Sequence, residues 1–344
     1  MTAPLNGQLP TELIRKTNWR HLAGSILTLV ATALLLVFGF AGLLSAEPEL
    51  GNPTYNAFVT QWQRLKGPSA RVETLILGDS SGRHGVDPKV IDEVLHTTSV
   101  NVCTIGSAGL INVAWQIEAY LARHPVPRRV LIVHVYDLWR REIELPLMSH
   151  VPLPWGYWNR MRVSPDLDDE TTWDLFLERY VPVLSQNKIV VGIAMRPWDP
   201  PRWKIKFDQS GFSAIRNADP EIFRKDVRGQ MWTATHLEFV IGHQSREAMT
   251  AIDELAGEHG FDVFLVNAPI AEVLMQDADF KAYYDNAQIE IDAMIAPLSN
   301  VHRILRDPMR FPAERMQNTD HVLGEAIADY TRAVGLAVAV FEQD

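Results

Sequence analysis

Val72 to Pro88 reads VETLILGDSSGRHGVDP, a short apolar, β-branched run that passes straight into Gly78-Asp79-Ser80-Ser81-Gly82. Such a run, ending in glycine and a small hydroxyl residue, predicts a strand that leaves the hydroxyl at the carboxyl edge of a sheet. Ser80 is therefore the candidate nucleophile. Asp87-Pro88 then predicts a helix through Leu95, because proline at the first helical position lacks only an N–H that has no helical partner.

Working outward towards the carboxyl terminus, Val100 to Ile105 predicts a second strand, and Gly106-Ser107-Ala108-Gly109 a turn into a helix reaching about Ala122. Arg129 to Tyr136, RVLIVHVY, is apolar enough throughout for a strand covered on both faces. Strands alternating with helices predict an α/β fold: a three-layer, doubly wound parallel sheet. From Trp139 to about Trp232 the rhythm breaks. This stretch holds most of the ten tryptophans and many prolines, and reads as an insertion with helices at Thr172 to Val183 and Gln186 to Met195. Covering one sheet face would account for most of its aromatics; the sharper alternative is a sugar-stacking or membrane-interface surface, since Trp joins a broad apolar face to a polar N–H.

Beyond the insertion, a long helix is expected from Thr235 to His259, ended by Gly260, which suits a left-handed C-terminal cap. Phe261 to Asn267 predicts a fourth strand, about Asp279 to Met294 a helix, and Val301 to Leu305 a short fifth strand. Asn318-Thr319-Asp320-His321 precedes a final helix through about Phe341.

On the amino-terminal side, Met1 to His21 is polar and carries Arg15, Lys16 and Arg20. Leu22 to Ala46 has no charged residue, and its roughly 25 residues suffice to cross a bilayer as a helix. With the basic residues before it and Glu47 and Glu49 after it, the positive-inside rule places the amino terminus in the cytoplasm and the rest outside. A cleaved signal peptide is the competing reading, but the apolar run exceeds the usual length and Leu44 sits poorly at the −3 position before Ser45-Ala46. The expected organisation is a cytoplasmic segment (1–21), an anchor (22–46), a connector (47–70) and an outer domain (71–344).

The 344 residues carry a net charge of −10, which argues against a nucleic-acid partner, because phosphate binding needs a concentrated basic surface. The 47% apolar content supports a sizeable core. The single cysteine, Cys103, lies in an apolar run and reads as a buried small hydrophobe. No ligand spacing for a metal is recognisable, and no cofactor is expected.

A serine hydroxyl becomes a useful nucleophile when an imidazole, itself oriented by a third polar group, takes its proton. Loops after parallel strands share one sheet edge, so His321, flanked by Asn318 and Asp320, is the best-placed base. His84 lies on the loop of Ser80 itself, His134 reads as a core residue, and His243 as a helix-surface residue. Backbone N–H groups of Ser80, Ser81 and Gly106 are the expected oxyanion donors. Asp79, His84, Asp137 and Asn267, at or beside the same edge, are the expected substrate contacts. GDSSG also fits the G-x-S-x-G elbow of α/β-hydrolases, but there the nucleophile follows several earlier strands, and Ser80 follows the first.

Three blocks, LILGDSSGRHGVDP, NVCTIGSAG and NTDHVLGEAIADYTRAV, occur in an order that resembles the SGNH/GDSL hydrolase superfamily. The likeness is strongest to its membrane-anchored envelope branch, which includes proteins similar to the D-alanyl-transfer component of teichoic acid modification. The resemblance implies Ser80 as nucleophile, Gly106 as oxyanion glycine and His321 as base. Two positions depart from the family pattern. Asn318 stands where an aspartate is common, and Tyr136-Asp137-Leu138-Trp139 lacks the usual asparagine donor. The implied function is a membrane-tethered acyl esterase or O-acyltransferase acting on an envelope glycan or lipid, with a membrane-bound acyl donor protein as a further partner. The alternative is a non-catalytic subunit that binds glycan or a partner in an envelope assembly.

Overall fold

The structure is a computed structural model that describes residues 19–47, 50–200, 202, 206–215 and 217–343. Strand β1 (Thr74–Gly78) is flanked by β2 (Ser99–Asn101) and β3 (Arg129–His134). Then come β4 (Asp262–Asn267), β5 (Ile270–Ala271), β6 (Val301–Ile304) and β7 (Arg310–Phe311). Five of these form one parallel sheet in the order β2-β1-β3-β4-β6, while β5 and β7 pair separately. The register sets Gly78 opposite Val133 and His134 opposite Asn267, so these positions share the carboxyl edge.

Alternation along the strands divides the core in two. Leu75, Leu77, Val130, Ile132, Val263 and Leu265 pack on one face. Ile76, Leu131, Val133, Phe264 and Val266 pack on the other. Each such fully buried aliphatic side chain contributes about 1.5–3 kcal/mol, whereas the short β2 gives only Val100 to the core and is tied on its other face by hydrogen bonds from Ser99 and Asn101.

Helix α1 (Trp19–Ala46) leads the described chain, followed by α2 (Pro53–Lys66), which Asn52 caps through the Thr54 N–H at 2.9 Å. Between the strands lie α3 (Ser80–Gly85), α4 (Pro88–Leu95) and α5 (Gly109–Leu121). The expected helix α4 is present with Pro88 in its first turn, and Asp87 caps it, accepting from the Lys89 N–H at 3.0 Å. The insertion carries α6 (Leu145–His150), α7 (Asp169–Tyr180), α8 (Pro182–Ser185), α9 (Asn187–Met195) and α10 (Pro220–His236). Helices α11 (His243–His259), α12 (Glu272–Gln276), α13 (Ala278–Ile295) and α14 (Glu325–Phe341) complete the fold. Residues of α2, α5, α11 and α13 cover the first sheet face, and those of α4 and α14 the second.

The expected helix from Thr235 to His259 is two helices. Between them, Phe239 and Ile241 are buried while Glu238 and Val240 are exposed, the period-two pattern of an extended segment. Gly242 begins α11 with its N–H donated to the Trp139 carbonyl at 2.8 Å, an approach that a side chain would crowd. The insertion consequently runs on to Gly242, ten residues past its expected end near Trp232. The predicted cap at Gly260 is present, with φ at 76°.

Over His21–Leu44, α1 is long and apolar enough to cross a membrane, and none of that stretch is buried in the domain, so α1 is no core helix. Arg15, Lys16 and Glu49, on which the orientation also rests, lie outside the described residues. One stripe of α1, Val37, Phe40, Ala41 and Leu44 at helical spacing, is half-buried where the helix meets α7 and α8.

Candidate active site

Both glycines of GDSSG are required by packing. Gly78 has φ at +130°, and a Cβ there would lie 1.9 Å from the Val133 carbonyl oxygen. A Cβ on Gly82 would lie 2.8 Å from Cys103 Sγ and from Val133 Cβ. The spacing thus lets α3 begin directly at the edge of β1 and lie close on β3. Asn101 holds the end of that helix, its Nδ2 donating to the carbonyls of Gly82 and Val86 at 2.9 and 2.8 Å.

The two serines part company here. Ser81 is buried, and its Oγ and N–H donate to Asp79 Oδ1 at 2.5 and 2.8 Å. Asp79 Oδ2 accepts from the Val135 N–H at 2.9 Å. Asp79 is therefore a buried cap that ties β1 to β3 rather than a substrate contact, and the Ser81 N–H is spent. Burial pushes the Asp79 carboxyl up, against the lowering effect of the Ser81 and Val135 bonds. Ser80 is half-buried, and its hydroxyl makes no hydrogen bond among the described residues. The N–H groups of Ser80 and Gly106 each open a helical turn and have no acceptor there, so both stay available as donors.

His321 reaches this edge on the loop before α14 and meets His84 of α3 edge-to-face, with ring centroids 5.1 Å apart. Burial, His84 and Arg83 hold the His321 imidazole well below its ordinary pKa, so it is neutral. Its Nε2 is buried with no hydrogen-bond partner, and no hydrogen bond joins it to Ser80 among the described residues. His84 cannot be the base. Arg83 Nε and Nη2 both donate to its Nε2, at 3.2 and 3.0 Å, which leaves the proton on Nδ1, donated to the Ser213 carbonyl. Burial and Arg83 press its pKa down to about 3.

Neither neighbour orients the His321 ring directly. Asn318 Oδ1 accepts from the backbone N–H groups of Asp320 and His321, at 3.2 and 2.8 Å, so it fixes the loop and not the imidazole. Asp320 Oδ1 stands 3.7 Å from His321 Nε2, beyond hydrogen-bonding distance. Burial, then the facing carboxylates of Asp79, Asp226 and Asp137, push Asp320 well above the ordinary carboxylate range. Asp320 is consequently biased towards its neutral form, which makes it a weak anionic partner for the ring. The loop is clamped by Asp226 of α10, whose Oδ2 accepts from Thr319 N–H and Oγ at 3.0 and 2.5 Å.

Arg141 is the cation of the site. Its Nη2 donates to Asp137 Oδ2 at 2.5 Å, while Nη1 makes no hydrogen bond among the described residues. Burial alone would lower its pKa, but Asp137, Asp79 and Asp320 outweigh that and raise it. A Cβ on Gly106 would lie 2.2 Å from Nη1, so the glycine makes room for the guanidinium. Asp137 is paired with Arg141, and with Asp320 it lines a narrow cleft shared with Tyr136, Gln230, Pro269 and Leu274.

Asn267 does not face that cleft as a free contact. It is buried, its Nδ2 donating to Gln288 Oε1 and the Arg306 carbonyl at 2.9 and 2.5 Å. His134 is a buried core residue hydrogen-bonded to Trp139 Nε1 at 3.0 Å, and His243 lies exposed on α11. Cys103 is free and buried. No cluster of metal-ligating side chains occurs among the described residues. Arg83, Arg141, Ser213 and Asp226 were not singled out by sequence. Arg83 lies inside the nucleophile block, but the other three come from the insertion or its root, where no motif points to them.

No protein-family profile matches this chain. No curated protein matches it either.

Proposed function

We propose that the chain is a membrane-tethered serine enzyme that cleaves or transfers an acyl ester of an envelope glycan or lipid. One observation carries the reading: at the carboxyl edge of a parallel sheet, an unengaged Ser80 opens the helix that a neutral His321 packs against. The sheet order and the sequence of the Ser80, Gly106 and His321 blocks support an SGNH-type arrangement of this site.

In that reaction Ser80 Oγ attacks the acyl carbonyl while His321 Nε2 takes its proton. The developing oxyanion is held by the N–H groups of Ser80 and Gly106, with Arg141 Nη1 standing in for the missing asparagine. His321 then protonates the departing alcohol. Water or an acceptor hydroxyl then attacks the acyl carbon as His321 takes its proton, and His321 returns that proton to Ser80 Oγ as the Oγ–acyl bond breaks. The full-length protein should react covalently with a serine-directed phosphonate, and Ser80→Ala should abolish both labelling and turnover of a small acyl ester. Undiminished labelling of Ser80→Ala would remove Ser80 from the mechanism.

A non-catalytic binding subunit is the second reading, supported by the engagement of Asn318 with backbone alone. It predicts no phosphonate adduct on the wild-type chain. The outward orientation of the main domain, with the amino terminus inside, belongs to the same proposal and follows from the charges flanking α1.

A further inference from the structure

Helix α9, NKIVVGIAM, carries one charged residue, Lys188, at its start and is otherwise apolar on every side. Val190 and Ile193 face the domain and are buried. Among the described residues the opposite stripe has no protein cover. Val191, Ala194 and Met195 recur at helical spacing and continue into Trp198 of the following turn; Met195 is 77% and Trp198 90% exposed. A helix apolar on both faces is stable only where both are covered, by protein or by lipid.

The position of this stripe says what covers it. Just before α9, helix α8 lies against α1, and the half-buried stripe Val37, Phe40, Ala41 and Leu44 falls within the last two turns of the apolar span. Arg202, just beyond Trp198, forms an ion pair with Glu47, the first residue past α1, at 2.9 Å. The segment is therefore fastened at both ends to the outer end of the membrane helix. Exposed Lys188 and Arg196 flank the stripe, on a chain whose net charge is otherwise strongly negative.

From this we infer that α8, α9 and the turn through Trp198 form a membrane-interface element that lies on the leaflet from which α1 emerges. Val191, Met195 and Trp198 enter the headgroup and upper acyl boundary to a depth of about 5–10 Å, with Lys188 and Arg196 reaching lipid phosphates. Trp198 suits that layer because its ring is apolar and its N–H polar. The inference rests on α1 spanning the membrane, as in the proposed function, and not on the chemistry of Ser80.

The full-length protein in lipid nanodiscs tests it, with a fluorescent probe on Met195→Cys, Leu35→Cys or Ile289→Cys. Leu35 is exposed on α1, Ile289 is exposed on α13, and the native Cys103 is too buried to react. The Met195 probe is expected to lose most of its emission to lipids carrying a nitroxide near the headgroup and to resist aqueous iodide, while Ile289 shows the reverse. A Met195 probe that iodide quenches like Ile289, beside a lipid-quenched Leu35, would overturn the inference and leave the anchor standing. Protection from iodide without lipid quenching would also overturn it, because protein would then be the cover. A Leu35 probe open to iodide would overturn the anchor and the inference together.

Discussion

At the scale of single residues, the third member of the site acts on backbone. Asn318→Ala removes the acceptor for two loop N–H groups and should lower stability by about 1–2 kcal/mol in denaturant melts. Asn318→Asp keeps an acceptor there and should melt like wild type; equal losses in both variants would disprove the backbone role. Gly106→Ala tests Arg141. The crowding atom is the end of a flexible side chain, so the variant should fold normally while displacing the guanidinium. Loss of one such donor costs about 10²–10³ in kcat, and an unchanged kcat would rule Arg141 out as a donor. The histidine has a sign of its own. Its folded-state pKa is depressed, so His321 stays a neutral base as pH falls past its ordinary value of about 6.5, and the acid limb of kcat/KM should lie below that pH. The unfolded chain takes the proton first, so stability present above pH 6.5 is lost as pH falls. In melts between pH 7 and 5, His321→Gln should show a smaller loss of Tm than wild type, but not none, since His84 and His134 are depressed in the same direction.

At the scale of elements, legibility followed how local each signal was. β1, β3 and β4 were readable because β-branched and leucine-rich runs bounded by glycine or polar residues need no tertiary information. The start of α4 at Asp87-Pro88 and the cap at Gly260 were readable for the same reason. The break after His236 was missed because Leu237 to Ile241 is short and as apolar as the helices it separates; Gly242 was its one local sign. β5 and β7, two residues each, carry no period at all. The site divided likewise, with Ser80, Gly106 and His321 legible in motifs and Arg141, Ser213 and Asp226 brought there only by folding. Asp226 links the insertion to Thr319 of the His321 loop across 93 positions of sequence. Asp226→Ala should lower kcat more than it raises KM and leave the sheet folded, because α10 packs only partly buried side chains against the two cores. A change confined to KM would assign Asp226 to substrate instead. Gly82→Ala forces a methyl against Cys103 and Val133 and should cost about 1–3 kcal/mol. Its melt should show this whether or not Ser80 is catalytic.

At the scale of the whole molecule, the apolar helix α1 packs on α7 and α8 of the insertion. Fusing alkaline phosphatase after Asp344 should give an active reporter and fusing a cytoplasm-dependent fluorescent protein a dark one; the opposite pattern would reverse the assigned orientation. The contact of Val37, Phe40, Ala41 and Leu44 with the domain has a consequence for the range of action. A protein on a slack leash samples a hemisphere, and its local substrate concentration falls as the leash lengthens. With α1 as the anchor proposed above, the docking of its last two turns would hold the domain at a constant altitude above the lipid and leave it to turn about the membrane normal. On the proposed function, the search for substrate would then be two-dimensional, with molecules selected by how far their acyl group stands off the bilayer as well as by their chemistry.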